Sequence, residues 1–347
     1  MTTQVAFLFP GQGSQTVGMG ADAFSASPAA KSIFETVDAA LGFSLSNLCF
    51  QGPEETLRET INAQPAIITV SLALLAAMQE SLSPTHTFSA WSSPLVPSYT
   101  AGHSVGEYAA LVAAGVLDLK DAVQLVRERG RLMHHEGTVC PGGMAAVIGM
   151  DAEALEKACQ QATAEASASE TGEAESTHPG MGKVIVANFN APGQIVISGE
   201  QHALEIAMER AKAGGAKRVI PLAVSGAFHS PVMQPAARML AQAIRVTALR
   251  NTSIPIISNI SATPLTTAEA ISEELAQQIA SPVQWTRTIE YLINAGITVF
   301  IEIGPGQALT GMVKRIAKGV TMLTISSMAD IEKAVARIQE IGLLRDV

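Results

Sequence analysis

The sequence has little charge and few aromatic rings. Asp, Glu, Lys and Arg make up 15% of the 347 residues, and Phe, Trp and Tyr 4%. A chain with 48% hydrophobic residues can fill a substantial core, which excludes disorder as its overall state. Scarce aromatics beside abundant Gly and Ala favour close helix–sheet packing over a sandwich built on aromatic side chains. A basic excess is absent as well: the net charge of -9 argues against non-specific binding of nucleic acid. The three cysteines, Cys49, Cys140 and Cys159, form no C-x-x-C pair, so a disulfide framework is excluded and a reducing, cytoplasmic setting is expected. No basic segment precedes the short apolar run Val5 to Phe9. That run is too short for a signal-peptide core, and no segment is expected to reach membrane-spanning length. Metal signatures are missing too, with neither H-E-x-x-H nor a cysteine cluster. The first glycine-rich loop lacks both the G-K-[ST] of a phosphate-binding loop and the G-x-G-x-x-G/A of a dinucleotide site.

What is present reads as α/β. Val5 to Phe9, stopped by Pro10-Gly11, has the form of a buried parallel strand. Gln64 to Met78 reads as a buried helix with Pro65 in its first turn, and residues 81–99 as a surface loop. Asp118 is placed as the cap of a helix running to about His134, with Arg127 and Arg131 as its solvated cations. From residue 143 to 224 the order is strand, helix, strand, strand, helix, strand, which suggests a small ferredoxin-like domain. Its stretch 162–182, rich in Ala, Ser, Glu and Gly, reads as a flexible insert. Strands alternating with helices return after Pro231, including a strand over Ile254 to Ile260. Residues 1–142 and 225–347 are therefore expected to form one discontinuous domain with a mostly parallel sheet.

The chemistry starts at Gly102-His-Ser-Val-Gly106, a G-x-S-x-G turn between an apolar approach and a helix. Ser104 is either a nucleophile or an ordinary turn serine. As a nucleophile it needs a base. His229, just after an apolar strand and before Pro231, is the best placed of the seven histidines; the plainer reading is a helix-capping or satisfied surface histidine. His103 should point away from Ser104 and be buried for structural reasons. No acidic residue between Ser104 and His229 has an obvious strand-end location, although a carbonyl can also orient an imidazole. The backbone N–H groups of Gln12 and Val105 are candidate oxyanion donors; alternatively, the Gln12 loop is a turn made for geometry. Arg129 either faces inward and grips a carboxylate or is solvated.

Taken together, several motifs closely resemble the malonyl-CoA:acyl carrier protein transacylase family. They are Phe9-Pro-Gly-Gln-Gly-Ser-Gln15, Gln64-Pro65, Gly102-His-Ser-Val-Gly-Glu107, Arg129-Gly130, Asn190 to Gly199, Gly226-Ala-Phe-His229, Pro282-Val-Gln-Trp285 and Glu302-Ile-Gly-Pro-Gly306. They occur in family order along nearly the whole chain. The resemblance implies an α/β-hydrolase-like domain carrying a ferredoxin-like insertion, and a Ser104–His229 dyad that moves malonyl from malonyl-CoA to the phosphopantetheine thiol of acyl carrier protein, for fatty-acid or polyketide synthesis. It implies oxyanion donors at Gln12 and Val105, and a main-chain carbonyl at Gln278 that orients His229. Arg129 would hold the free malonyl carboxylate, with Gln64, Phe228 and His103 also in the substrate site. The bulk of Phe228 would disfavour a branched α-methyl group. Neither a metal nor a cofactor is implied, a monomer is expected, and a local basic surface, with Lys212 to Arg218 as one contributor, would meet the acidic carrier.

Overall fold

The computed structural model describes residues 4–83, 94–169 and 178–344. Ten strands occur among them: β1 (Gln4–Phe9), β2 (Tyr99–Gly102), β3 (Gly142–Ile148), β4 (Val184–Ala191), β5 (Gln194–Glu200), β6 (Arg218–Pro221), β7 (Ile256–Ile257), β8 (Pro264–Leu265), β9 (Ile297–Ile303) and β10 (Thr321–Ile325). They form two sheets. One is six-stranded, in the order β10-β9-β1-β2-β7-β8, and every pairing except β7 with β8 is parallel. The other is four-stranded and antiparallel throughout, in the order β4-β5-β3-β6.

Strand β1 lies at the centre of the larger sheet, and its run from Val5 to Phe9 is fully buried, as a parallel strand covered on both faces requires. Apolar side chains pack on both faces of this sheet. The smaller sheet has its own core, in which Val147, Leu155, Cys159, Val184, Ile197 and Leu204 meet. The two units touch at β4, where Phe189 N–H donates to Val283 O at 2.9 Å and Val283 N–H to Ala187 O at 2.8 Å.

Several expectations change here. The first long helix runs over Thr60–Leu82 and carries Pro65 in its interior rather than its first turn. Proline has no N–H to give the carbonyl four residues back. That carbonyl, of Ile61, instead accepts from Arg127 Nη1 at 2.7 Å, so Arg127 is a structural partner rather than a solvated cation. The same helix is long and apolar enough to cross a membrane by length and composition, contrary to the expectation of no such segment; 94% of its apolar window is buried inside the fold. Asp118 precedes the helix Leu119–Val139 but makes no side-chain cap, because its carboxylate pairs with Arg250 at 2.7 Å. Asp151 does cap its helix, accepting from Ala154 N–H at 2.9 Å. That helix continues over Ala152–Ser169, so the first part of the expected flexible stretch is helical. Residues 170–177 of that stretch, and 84–93 of the expected surface loop, lie outside the described residues. The strand expected over Ile254 to Ile260 shrinks to β7. Pro255 precedes it, and the chain turns at Ser258, whose N–H donates to Thr263 O at 3.0 Å. Strand β10 joins the sheet edge without having been expected.

Candidate active site

Strand β2 ends at Gly102 and the helix Gly106–Ala113 begins four residues later, leaving Ser104 on the turn between them. The turn is so tight that a Cβ at Gly102 would stand 2.0 Å from Gly106 C, and one at Gly106 2.2 Å from Phe9 O. Only glycine fits at either position, which is the physical content of the motif. Ser104 itself has φ 53°, a left-handed conformation that L residues rarely adopt. Asn259, just beyond β7, holds it there: its Oδ1 accepts from Ser104 N–H at 2.8 Å, and its Nδ2 donates to Gly102 O at 2.8 Å. The helix amino end behind the serine favours negative charge at this point.

His229 also has a positive φ, 58°, and is pinned by its N–H to Ile279 O at 2.8 Å. Its Nε2 lies 2.7 Å from Ser104 Oγ. Its Nδ1 faces two carbonyl oxygens, Gln278 O at 2.9 Å and Ser281 O at 3.1 Å. Carbonyl oxygens only accept, so Nδ1 carries the hydrogen and Nε2 is left to accept the serine proton. Burial, then the neighbouring Arg129 guanidinium, push the imidazole pKa down to about 3, which keeps the ring neutral near pH 7.

Arg129 is buried to 1% exposure. Its Nη1 donates to Gln64 Oε1 at 2.5 Å, and its Nη2 to Gln278 Oε1 at 2.9 Å and to Ser104 Oγ at 3.1 Å. These hydrogen-bond partners of the guanidinium are all neutral. Its Nε meets no acceptor in hydrogen-bonding geometry among the described residues. Arg131, two residues on, instead pairs at the surface with Glu128 at 2.7 Å.

Ser104, His229 and Arg129 line a cleft of about 430 Å³ between the two sheets. Gln12, His103, Val105, Arg129, Phe228 and His229 all border it with Ser104, while Asn188 and Asn190 come from β4 of the smaller sheet and Leu222 lies just past β6. Among the described residues, no acceptor is found for the N–H of Gln12 or Val105. His103 pairs its Nε2 with Asn190 Oδ1 at 2.8 Å and meets Trp285 in a T-shaped ring contact, and it also forms cleft wall. Gln64 differs from its expected place: it is fully buried behind Arg129 and does not line the cleft. Among the described residues no cluster of His, Cys, Asp and Glu could hold a metal ion.

Sequence reasoning missed Asn259, Ser281, Thr60 and the inward turn of Glu107. Glu107 directly follows the G-x-S-x-G turn, and that proximity is the one signal that could have singled it out.

The acyl transferase domain family matches residues 6–336. The chain is 44% identical over 338 residues to the malonyl CoA-acyl carrier protein transacylase of Bacillus subtilis (strain 168), covering 97% of this chain and 98% of that protein. The chain belongs to the malonyl-CoA:acyl carrier protein transacylase family. The family protein of Escherichia coli (strain K12) is 41% identical over 319 residues, covering 92% of this chain and 94% of its own. Among solved family structures, the acyl-carrier-protein S-malonyltransferase of Bartonella henselae superposes with a TM-score of 0.87 at 39% identity, over 98% of this chain and all of that one. A malonyl-transacylase solved in complex with a type II PKS acyl-carrier protein superposes with a TM-score of 0.84 at 38% identity, over 96% and 100%.

Proposed function

We propose that this protein moves the malonyl group from malonyl-CoA to the phosphopantetheine thiol of acyl carrier protein through a malonyl-Ser104 ester, supplying fatty-acid or polyketide assembly. The observation that carries this reading is the double contact of Ser104 Oγ, with His229 Nε2 at 2.7 Å and Arg129 Nη2 at 3.1 Å. The nucleophile touches both its base and a cation able to hold the far end of a dicarboxylic acyl chain.

In the first half-reaction the malonyl carboxylate meets Arg129. Ser104 Oγ bonds to the thioester carbon while its proton passes to His229 Nε2. The Gln12 and Val105 N–H groups receive the oxyanion. The carbon–sulfur bond then breaks, and the Nε2 proton leaves with the CoA thiol. In the second half the carrier thiol gives its proton to Nε2 and attacks the ester carbon. The ester bond breaks, and Ser104 recovers its proton. The Gln278 and Ser281 carbonyls stabilise the imidazolium in both halves. They stand where a triad would place a carboxylate, so the reaction runs on a dyad. Phe228 narrows the cleft against a branched acyl chain, and His103 forms part of its wall. Gln64 acts on the substrate through Arg129.

We also infer a domain division at residues 143–224, with a ferredoxin-like fold for that unit and a hydrolase-like one for the remainder. The β4-β5-β3-β6 order and the separate core of the smaller sheet support it. A cytoplasmic setting is favoured by the buried thiols of Cys49 and Cys159.

Mass spectrometry of the protein incubated with malonyl-CoA tests the covalent step. One malonyl adduct on Ser104, absent from Ser104→Ala, is expected; a folded wild-type protein without an adduct would sink the mechanism.

A further inference from the structure

Arg129 is held in place from two sides. Two fully buried glutamines face it, each offering Oε1: Gln64 to Nη1 and Gln278 to Nη2. A side-chain amide has a donor end and an acceptor end, and only the oxygen can accept from a guanidinium. The orientation of each amide is therefore decided by what its nitrogen meets.

Gln64 Nε2 donates to Thr60 Oγ1 at 2.9 Å, with Met133 Sδ a weaker neighbour at 3.4 Å. The Thr60 hydroxyl in turn donates to Gln12 Oε1 at 2.8 Å. With its only hydrogen engaged, Thr60 presents lone pairs to Gln64 and accepts the Nε2 end alone. A flipped Gln64 would set oxygen against oxygen at Thr60 and N–H against N–H at Arg129. On the other side, Gln278 Nε2 donates to Glu107 Oε2 and to Ser104 O, the latter at 3.2 Å. Burial pushes the Glu107 carboxyl up, but in either protonation state it keeps an oxygen able to accept. Thr60 and Glu107 are each about 1% exposed, so water cannot replace the bonds they make.

We propose that Thr60 and Glu107 are positioning residues for acyl selection, locking the Gln64 and Gln278 amides so that both oxygens hold Arg129 toward the acyl chain. The proposal rests on the reading of Arg129 as the carboxylate-binding group. Thr60 has a further reach: through Gln12 Oε1 it ties the oxyanion loop to the same network. Gln278 likewise joins two tasks, because its carbonyl orients His229 while its amide holds Arg129.

The test is the ratio of malonyl to acetyl transfer, as kcat/KM, in Thr60→Val and Thr60→Ser, with Glu107→Met in parallel and thermal midpoints measured alongside. Valine keeps the shape of threonine and removes the hydroxyl; methionine keeps the length of glutamate and removes the acceptors. We expect the ratio to fall about tenfold in Thr60→Val and Glu107→Met, mostly through KM for malonyl-CoA, and to return to within about twofold in Thr60→Ser. A ratio that stays within about twofold of wild type in both variants, or malonyl and acetyl transfer falling together in step with stability, overturns the proposal. Arg129→Ala separates the two levels: if it collapses the ratio while the Thr60 and Glu107 variants do not, the positioning roles fail and the Arg129 reading stands. An unchanged ratio in Arg129→Ala overturns both.

Discussion

The six-stranded sheet is parallel through its centre and delivers Ser104 from the end of β2, whereas the four-stranded sheet is antiparallel throughout and supplies cleft wall but neither Ser104 nor His229. Parallel strands end on the same side, so loops from distant parts of the chain converge there: Gln12 follows β1, Ser104 follows β2 and Asn259 follows β7. An antiparallel sheet sends alternate ends apart, which suits it to forming a face. The larger sheet thus brings Gln12, Ser104 and Asn259 together, and the smaller one bounds the cleft beside them.

The comparison is tested most severely at Arg129, which belongs to the larger unit. Arg129→Ala is expected to lower malonyl transfer by about 10²–10³-fold, the value of two charge-assisted hydrogen bonds, and to change acetyl transfer far less. Steady-state kinetics with both acyl-CoAs decides it; equal losses would remove its assigned role. Leu155, in the core of the smaller unit, should behave in the opposite way. Leu155→Ala should cost about 2–5 kcal/mol of stability, read by denaturant unfolding, while each folded molecule still takes one malonyl group. A folded variant unable to form the adduct would mean that the smaller unit contributes more than a wall.

The last effect concerns pH. The His229 pKa is depressed in the fold, to about 3. Above the ordinary histidine value of about 6.5 neither state binds the proton, so the group adds no pH dependence to stability. Below it the unfolded chain takes up a proton that the folded site refuses. Stability contributed by this group is therefore lost from about pH 6.5 down toward pH 3, by up to about 1.4 kcal/mol per pH unit. For the same reason kcat/KM should stay nearly level from about pH 7.5 to 5.5, where an ordinary histidine base would lose most of its activity. An acid limb centred near 6.5 would contradict the depressed value.

Much of this was legible in the sequence because the decisive signals are local. Gly102 and Gly106 flank Ser104 within five residues, and the strand–turn–helix context is contiguous. The alternation of strands and helices, and the return of the parallel pattern after Pro231, follow from periodicity and punctuation. What was not legible depends on sheet order and side-chain direction. Asn259 reaches Ser104 only because β7 lies beside β2, and no local pattern encodes that adjacency. Arg127, Arg129 and Arg131 look alike on one helix, yet one fills a carbonyl freed by Pro65, one enters the site and one pairs at the surface. The resemblance placed Gln64 in the substrate site, and the motif alone does not say whether it stands before or behind Arg129. Helix ends were misjudged where composition suggested solvent, as in the segment beyond Ala162.

Ser104 and His229 share the left-handed backbone with one other non-glycine residue among those described, Ala262. Ala262 closes the turn after β7 through its N–H to Ser258 O at 3.1 Å, and that turn presents Asn259 to the serine. If every side chain were erased, the dihedral angles alone would still outline the site: one marker at Ser104, one at His229 and one at the turn that holds the serine in place.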